Sequence, residues 1–203
     1  MVIDQKTYRL SSNNYLNIEH EKNQIVVGHT FNHDMNHFTG WLHRYHGQYT
    51  KTAPYTITRN GTIYEHFEPK YRSNFFNNDY LDNRSIVILL ENNGWLVKNS
   101  DNKFIDWSGD IYKQEDKITK KKWRNHEYWE SYTTEQINST ILLVNKLCGD
   151  FSIERHLVSH NTYINDLIDY NGILYKSNLE KYYTDLNPSW CFSEFKEAIE
   201  NYK

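Results

Sequence analysis

Two histidines close short apolar runs, and these are the first residues whose type and place could do chemistry. His29 follows Ile25-Val26-Val27-Gly28, and His160 follows Leu157-Val158-Ser159. An imidazole at a strand end can bind a metal or move a proton, although a hydrogen-bonded core or surface role is the commoner use. His33 and His37 stand four apart just beyond the first run, where their ordinary reading is loop and helix surface. Cys148 falls at an apolar position of a helical pattern and Cys191 is distant, so a buried free thiol is expected rather than a disulfide. The basic run Lys117–Arg124 reads as a solvated loop or turn.

The elements that must carry these groups follow from periodicity. Ile25-Val26-Val27 is a buried strand, and Phe38, Trp41, Leu42 and Tyr45 recur at helical spacing over 36–46. Tyr55–Tyr64 consists of two alternating segments joined by Asn60-Gly61, which predicts a hairpin with a two-residue type I′ turn. Ser85–Leu90 is apolar throughout and reads as a central strand covered on both faces. Segments 95–97 and 103–107 pair as a second, more exposed hairpin. Thr133 and Gln136 form a capping box for a helix over 134–148, ended by Gly149. Residues 156–160 read as a strand, and Phe192, Phe195 and Ile199 mark a closing helix. The chain of 203 residues is thus one α/β domain with a mixed central sheet flanked by helices.

Bulk properties narrow the classes. A net charge of −3 gives no general attraction to nucleic acid or to anionic membrane. No stretch reaches the ~20 apolar residues that span a bilayer. The N-terminus carries no apolar signal segment, so synthesis in the cytoplasm is expected, with release by lysis or association with a virion. Ala53 and Ala198 are the only alanines, and aromatic residues at 16% supply core volume in their place.

In order, these motifs resemble the zinc-dependent N-acetylmuramoyl-L-alanine amidases of the peptidoglycan recognition family. Val26-Val27-Gly28-His29-Thr30 is similar to the family's apolar-apolar-His-His-Thr strand. Thr52–Ile63 resembles its hairpin, and Asn83–Leu90 its central strand. Val158-Ser159-His160 and Asp185-Leu186-Asn187-Pro188 are similar to its Val-x-His and Asp-x-x-Pro tail. The block 104–130 resembles an insertion found in phage and Bacteroidetes amidases. The resemblance covers about 20–200.

It implies a fold, an activity and a ligand set. The activity is hydrolysis of the amide between the lactyl group of N-acetylmuramic acid and L-alanine, by water on a zinc held by two His and an Asp or Cys. His160 and Asp185 occupy two ligand positions. Gly28 stands at the third, which leaves His29 as the candidate if the strand bulges, with His33 and His37 behind it. The proton-handling positions carry Ala53, Leu89 and Tyr183; Tyr55, Glu91 and Lys181, each two residues away, are the candidate catalytic groups. Two readings follow. One is an amidase with a remodelled site, acting on peptidoglycan fragments. The other is a catalytically inactive amidase fold that binds wall fragments or protein partners such as virion components.

Overall fold

The computed structural model describes residues 1–114, 117–167 and 169–202. In chain order its elements are β1 (Ile3–Asp4), β2 (Leu16–Glu19), β3 (Gln24–His29), α1 (Asn36–His43), β4 (Tyr55–Ile57), β5 (Ile63–Glu65), β6 (Tyr71–Arg72), α2 (Asp79–Arg84), β7 (Ser85–Leu90), β8 (Trp95–Lys98), β9 (Phe104–Ile105), β10 (Ile118–Trp123), β11 (His126–Glu130), α3 (Thr134–Phe151), β12 (Gly172–Tyr175), α4 (Lys176–Leu179) and α5 (Phe192–Glu200). The main sheet runs β1-β5-β4-β7-β3-β12, with β4, β7, β3 and β12 parallel and β5 antiparallel to β4. The expected mixed sheet flanked by helices is what forms.

Alternation along the two central strands divides the core. Ile86, Ile88 and Leu90 of β7, with Ile25 and Val27 of β3, pack against Leu143, Val144 and Leu147 of α3 and Phe195 and Ile199 of α5. Val87 and Leu89 point to the opposite face, where Phe38 and Trp41 of α1 cover them with Phe67. Every residue of β3 and β7 is buried. At about 1.5–3 kcal/mol for each large aliphatic side chain, this pair anchors the domain. Gly28 pairs with Leu89 and His29 with Leu90, so the functional ends of both strands are in register.

Several expectations need correcting in detail. The Asn60-Gly61 hairpin forms, but its loop is three residues: Thr58 N–H donates to Thr62 O at 3.0 Å and Gly61 N–H to Thr58 O at 2.9 Å. Within that loop only Gly61 takes a positive φ, +82°, which excludes a type I′ turn because that turn needs two. The basic run is a strand, β10, at the edge of a second sheet ordered β10-β11-β8-β9. Exposed lysines on an edge strand discourage pairing with other chains, which accounts for the run. Helix α3 continues past Gly149 and stops where Ser152 turns left-handed, at φ 56°. Helix α1 ends at His43, and a 3-10 segment, Arg44–Gly47, follows it. Residues 156–160 contribute only a bridge from Leu157 to Ile173; the strand there is β12. The 95–105 hairpin, the Thr133–Gln136 capping box and the C-terminal helix are as expected. Positions 115 and 116 of the 104–130 block lie outside the described residues.

Candidate functional site

The site forms where β3 and β7 end, the usual place for ligands in open α/β sheets. A strand turns successive side chains to opposite faces, and Gly28 and His29 obey this. On the Gly28 face there is no room for a side chain. A Cβ built there would meet Asp185 Oδ2 at 2.6 Å, Lys176 Cδ at 3.4 Å and Leu89 Cδ2 at 3.5 Å. The Asp185 carboxylate is fully buried; it accepts from the His29 backbone N–H at 3.2 Å and faces Lys176 Nζ at 3.6 Å. The Lys176 ammonium also lies 4.3 Å from the Tyr183 ring centroid and 5.4 Å from that of Phe75.

The 104–130 block holds this loop in place. Arg124, at the β10–β11 turn, donates to the carbonyls of Ser177 (2.9 Å), Glu180 (3.0 Å) and Tyr183. Ser177 N–H donates to Asp185 O at 2.7 Å, which draws Lys176 and Asp185 together.

His29 turns toward α3. Its Nδ1 is 2.9 Å from Tyr132 Oη, which also accepts from Asn187 N–H at 3.4 Å. His29 Nε2 is a buried atom with no partner. Burial pushes this imidazole down to about 4, against the pull of Asp185, so the ring is neutral.

The remaining candidates are dispersed. His160 Nε2 donates to Leu186 O at 3.1 Å and the ring stacks on Phe192, so that nitrogen is committed to a carbonyl. Tyr55 lies on the α3 side, donating to Glu65 Oε2 at 3.1 Å. Glu91 accepts from the backbone N–H groups of Met35 (2.7 Å) and Arg59 (3.3 Å), anchoring the start of α1; desolvation raises its pKa. Lys181 is exposed, 5.1 Å from the Tyr163 ring centroid. His33 pairs with the buried Glu130 at 2.8 Å rather than lying free on a loop. His37, expected on a helix surface, is buried.

His37 belongs to a directed chain. His66 Nδ1 donates to Tyr8 O at 2.6 Å, so its Nε2 must accept from the Thr56 hydroxyl at 2.9 Å. Thr56 Oγ1 then accepts from His37 Nε2, also at 2.9 Å. His37 Nδ1 is left as a buried lone pair without a partner.

A zinc centre needs three protein ligands around one point. Among the described residues no group of three His, Cys, Asp or Glu side chains could hold a metal ion. The residue at the third ligand position has no side chain, and the space beside it is filled by a carboxylate and an ammonium. The donor set does not fit zinc.

The same strand ends border open space. A cavity of about 230 Å³ is lined by His37, Trp41, Arg44, Lys51, Leu89 and Lys176 among others. Through Thr30, Phe31, Asn32 and Arg44 it continues into a second pocket, bounded by Trp95 and Trp107. The Trp107 indole N–H donates to Phe31 O at 2.5 Å, which fixes that wall.

The sequence pattern of N-acetylmuramoyl-L-alanine amidases matches residues 18–171. The chain belongs to that family. Solved structures of amidases share the fold at low identity. The N-acetylmuramoyl-L-alanine amidase LysC from Clostridium intestinale is 15% identical with a TM-score of 0.52, over 97% of this chain and 95% of that one. The catalytic domain of XlyA is 14% identical with a TM-score of 0.54, over 98% and 99%. AmiD from E. coli, solved with anhydro-N-acetylmuramic acid-L-Ala-D-gamma-Glu-L-Lys as substrate, is 11% identical with a TM-score of 0.54, over 90% and 59%. No curated protein matches.

Within this amidase-family chain, the sequence pointed to the strand ends but missed Lys176, Tyr132 and Arg124. Lys176 directly follows the apolar run Ile173-Leu174-Tyr175, and that run was the available signal for a strand ending at the site.

Proposed function

We propose that this chain is a peptidoglycan-directed binding protein, an amidase fold that holds muropeptide in its groove and does not hydrolyse it through a zinc centre. The observation that carries the reading is the packing beside Gly28. A ligand side chain there would collide with Asp185, and Lys176 already supplies the positive charge next to that carboxylate. Family membership supports peptidoglycan as the target. The groove supports binding, because Phe31, Trp95 and Trp107 offer aromatic faces of the kind on which sugar rings stack. Hydrolysis by these residues without a metal is poorly served: Tyr55 and Lys181 lie away from the groove, and Glu91 is committed to two backbone amides.

The test is incubation of the purified protein with N-acetylmuramoyl peptides and added zinc, followed by chromatography, beside a calorimetric titration with the same ligands. Saturable binding with intact ligand recovered is the expected result. Release of free peptide, lost on chelation, would overturn the proposal.

A further inference from the structure

We infer that the cavity between the 33–35 loop and the β4–β5 hairpin is a second binding site, which takes a free α-amino acid with an apolar side chain, its carboxylate on Arg59 and its ammonium on Asp34 and Glu91. The inference does not depend on the peptidoglycan reading. This cavity, about 480 Å³, shares no lining residue with either pocket of the cleft.

Arg59 lines the cavity and commits only one of its guanidinium nitrogens to the protein. Its Nη1 donates to Glu130 Oε1 at 2.5 Å and to Ser131 O at 3.2 Å. Its Nε and Nη2 have no partner among the described residues and remain accessible. Those two nitrogens form one edge of the group, whose parallel N–H bonds match the two oxygens of a carboxylate. Glu130 is fully buried and also accepts from Asn93 N–H at 2.5 Å and from Tyr112 Oη at 3.1 Å, so the guanidinium is held from behind with that edge open. Beside it, His33 places Nε2 2.8 Å from Glu130 and keeps Nδ1 for a ligand.

Charge balance selects the ligand class. Glu130 already matches the charge of Arg59, and Asp34 and Glu91 add two carboxylates to the same cavity wall. A simple anion would lie beside two unmatched negative charges, and a simple amine would leave the Arg59 edge unused. A zwitterion adds no net charge and engages both. Asp34 is exposed and makes no side-chain hydrogen bond among the described residues. Glu91 accepts one backbone N–H on each oxygen, from Met35 at 2.7 Å and Arg59 at 3.3 Å, which ties two walls together and leaves each oxygen a further lone pair. Met35 is buried, and Tyr8 packs edge-on against Tyr64 with ring centroids 4.8 Å apart, which gives an apolar surface for the side chain.

The experiment titrates isotope-labelled protein with phenylalanine, N-acetylphenylalanine and phenylalaninamide, each as both enantiomers, and follows the backbone amides of 58–61 by NMR. Phenylalanine of one hand should shift these amides saturably. It should bind about tenfold or more tightly than either blocked form, each of which loses one charge-assisted contact. Asp34→Asn, at a left-handed position (φ 52°) that asparagine adopts readily, should weaken phenylalanine several-fold and leave N-acetylphenylalanine unchanged. Arg59→Lys keeps a charge for Glu130 without the paired donors, and should bring phenylalanine down to the level of its amide. If that variant does not fold, the blocked ligands and Asp34→Asn decide. Equal affinity for the three ligands would overturn the inference, as would shifts confined to Trp107 and Lys176 in the cleft, or no saturable shift at 58–61 with phenylalanine. None of these results bears on muropeptide binding, which is measured separately in the cleft.

Discussion

Gly28→Ala isolates the packing on which the functional reading depends. In a strand interior at ordinary φ, this exchange normally stabilises by about 0.4–1 kcal/mol, because alanine restricts the unfolded chain. Here the added Cβ would sit 2.6 Å from Asp185 Oδ2, against 3.4 Å for ordinary contact. The opposing atom cannot swing away freely, since it accepts from His29 N–H and faces Lys176. Overpacking of this kind costs roughly 1–3 kcal/mol, leaving a net loss of about 1–2 kcal/mol. For a chain of this size that is a fall in Tm of roughly 2–8 °C. Gly149→Ala is the control: it lies within α3 with nothing within 4 Å of its Cβ, and should stabilise by about 0.5–1 kcal/mol. Thermal denaturation of both variants beside the parent measures the contrast. If Gly28→Ala is as stable as Gly149→Ala, the carboxylate does not fill that space, and a ligand side chain has room there.

Other expected outcomes follow from named contacts. Glu130→Gln removes the carboxylate that meets Arg59 at 2.5 Å and His33 at 2.8 Å in a fully buried setting, so urea unfolding should show a loss of about 3–5 kcal/mol; a loss below 1 kcal/mol would refute the network's role. Thr133→Ala deletes the capping box and the 2.6 Å bond to Arg59 O, and should cost about 1–2 kcal/mol by the same assay. The pH dependence has a definite sign. Burial lowers His29, His37 and His66 to about 4, 3 and 4, whereas the unfolded chain protonates near 6.5. The folded state thus binds fewer protons, so stability is full above pH 6.5 and declines toward pH 4, by up to ~1.4 kcal/mol per pH unit for each ring. Denaturation midpoints that do not change between pH 7 and 5 would contradict this.

What the sequence revealed is what depends on neighbours in the chain or on simple burial. The apolar run Ser85–Leu90, the Asn-Gly hairpin and the Thr133–Gln136 cap each carry their cause within a few residues. The alternation that sends Gly28 and His29 to opposite faces is equally local. The exact loop was not legible, because Asn60-Gly61 suits both a two-residue turn and the three-residue loop that Thr58 and Thr62 close. The end of α3 was misread because Gly149 is comfortable inside a helix when its surroundings are open. The Lys176–Asp185 pair was invisible for a different reason. It depends on β12 pairing with β3 about 150 positions earlier in the chain, and on Arg124 gathering the 176–185 loop from a separate sheet. His37 was taken for surface because nothing near it in sequence shows that Thr56 and His66 close over it.

Retention of intact muropeptide in this amidase-family groove, without zinc, can be observed directly. Native mass spectrometry of the protein, equilibrated with zinc and N-acetylmuramoyl-L-alanyl-D-glutamate, tests it in one spectrum. The expected spectrum shows a complex at the mass of the chain plus intact ligand, with no zinc adduct that survives dilution. A zinc-bearing chain accompanied by free dipeptide and N-acetylmuramic acid would contradict it.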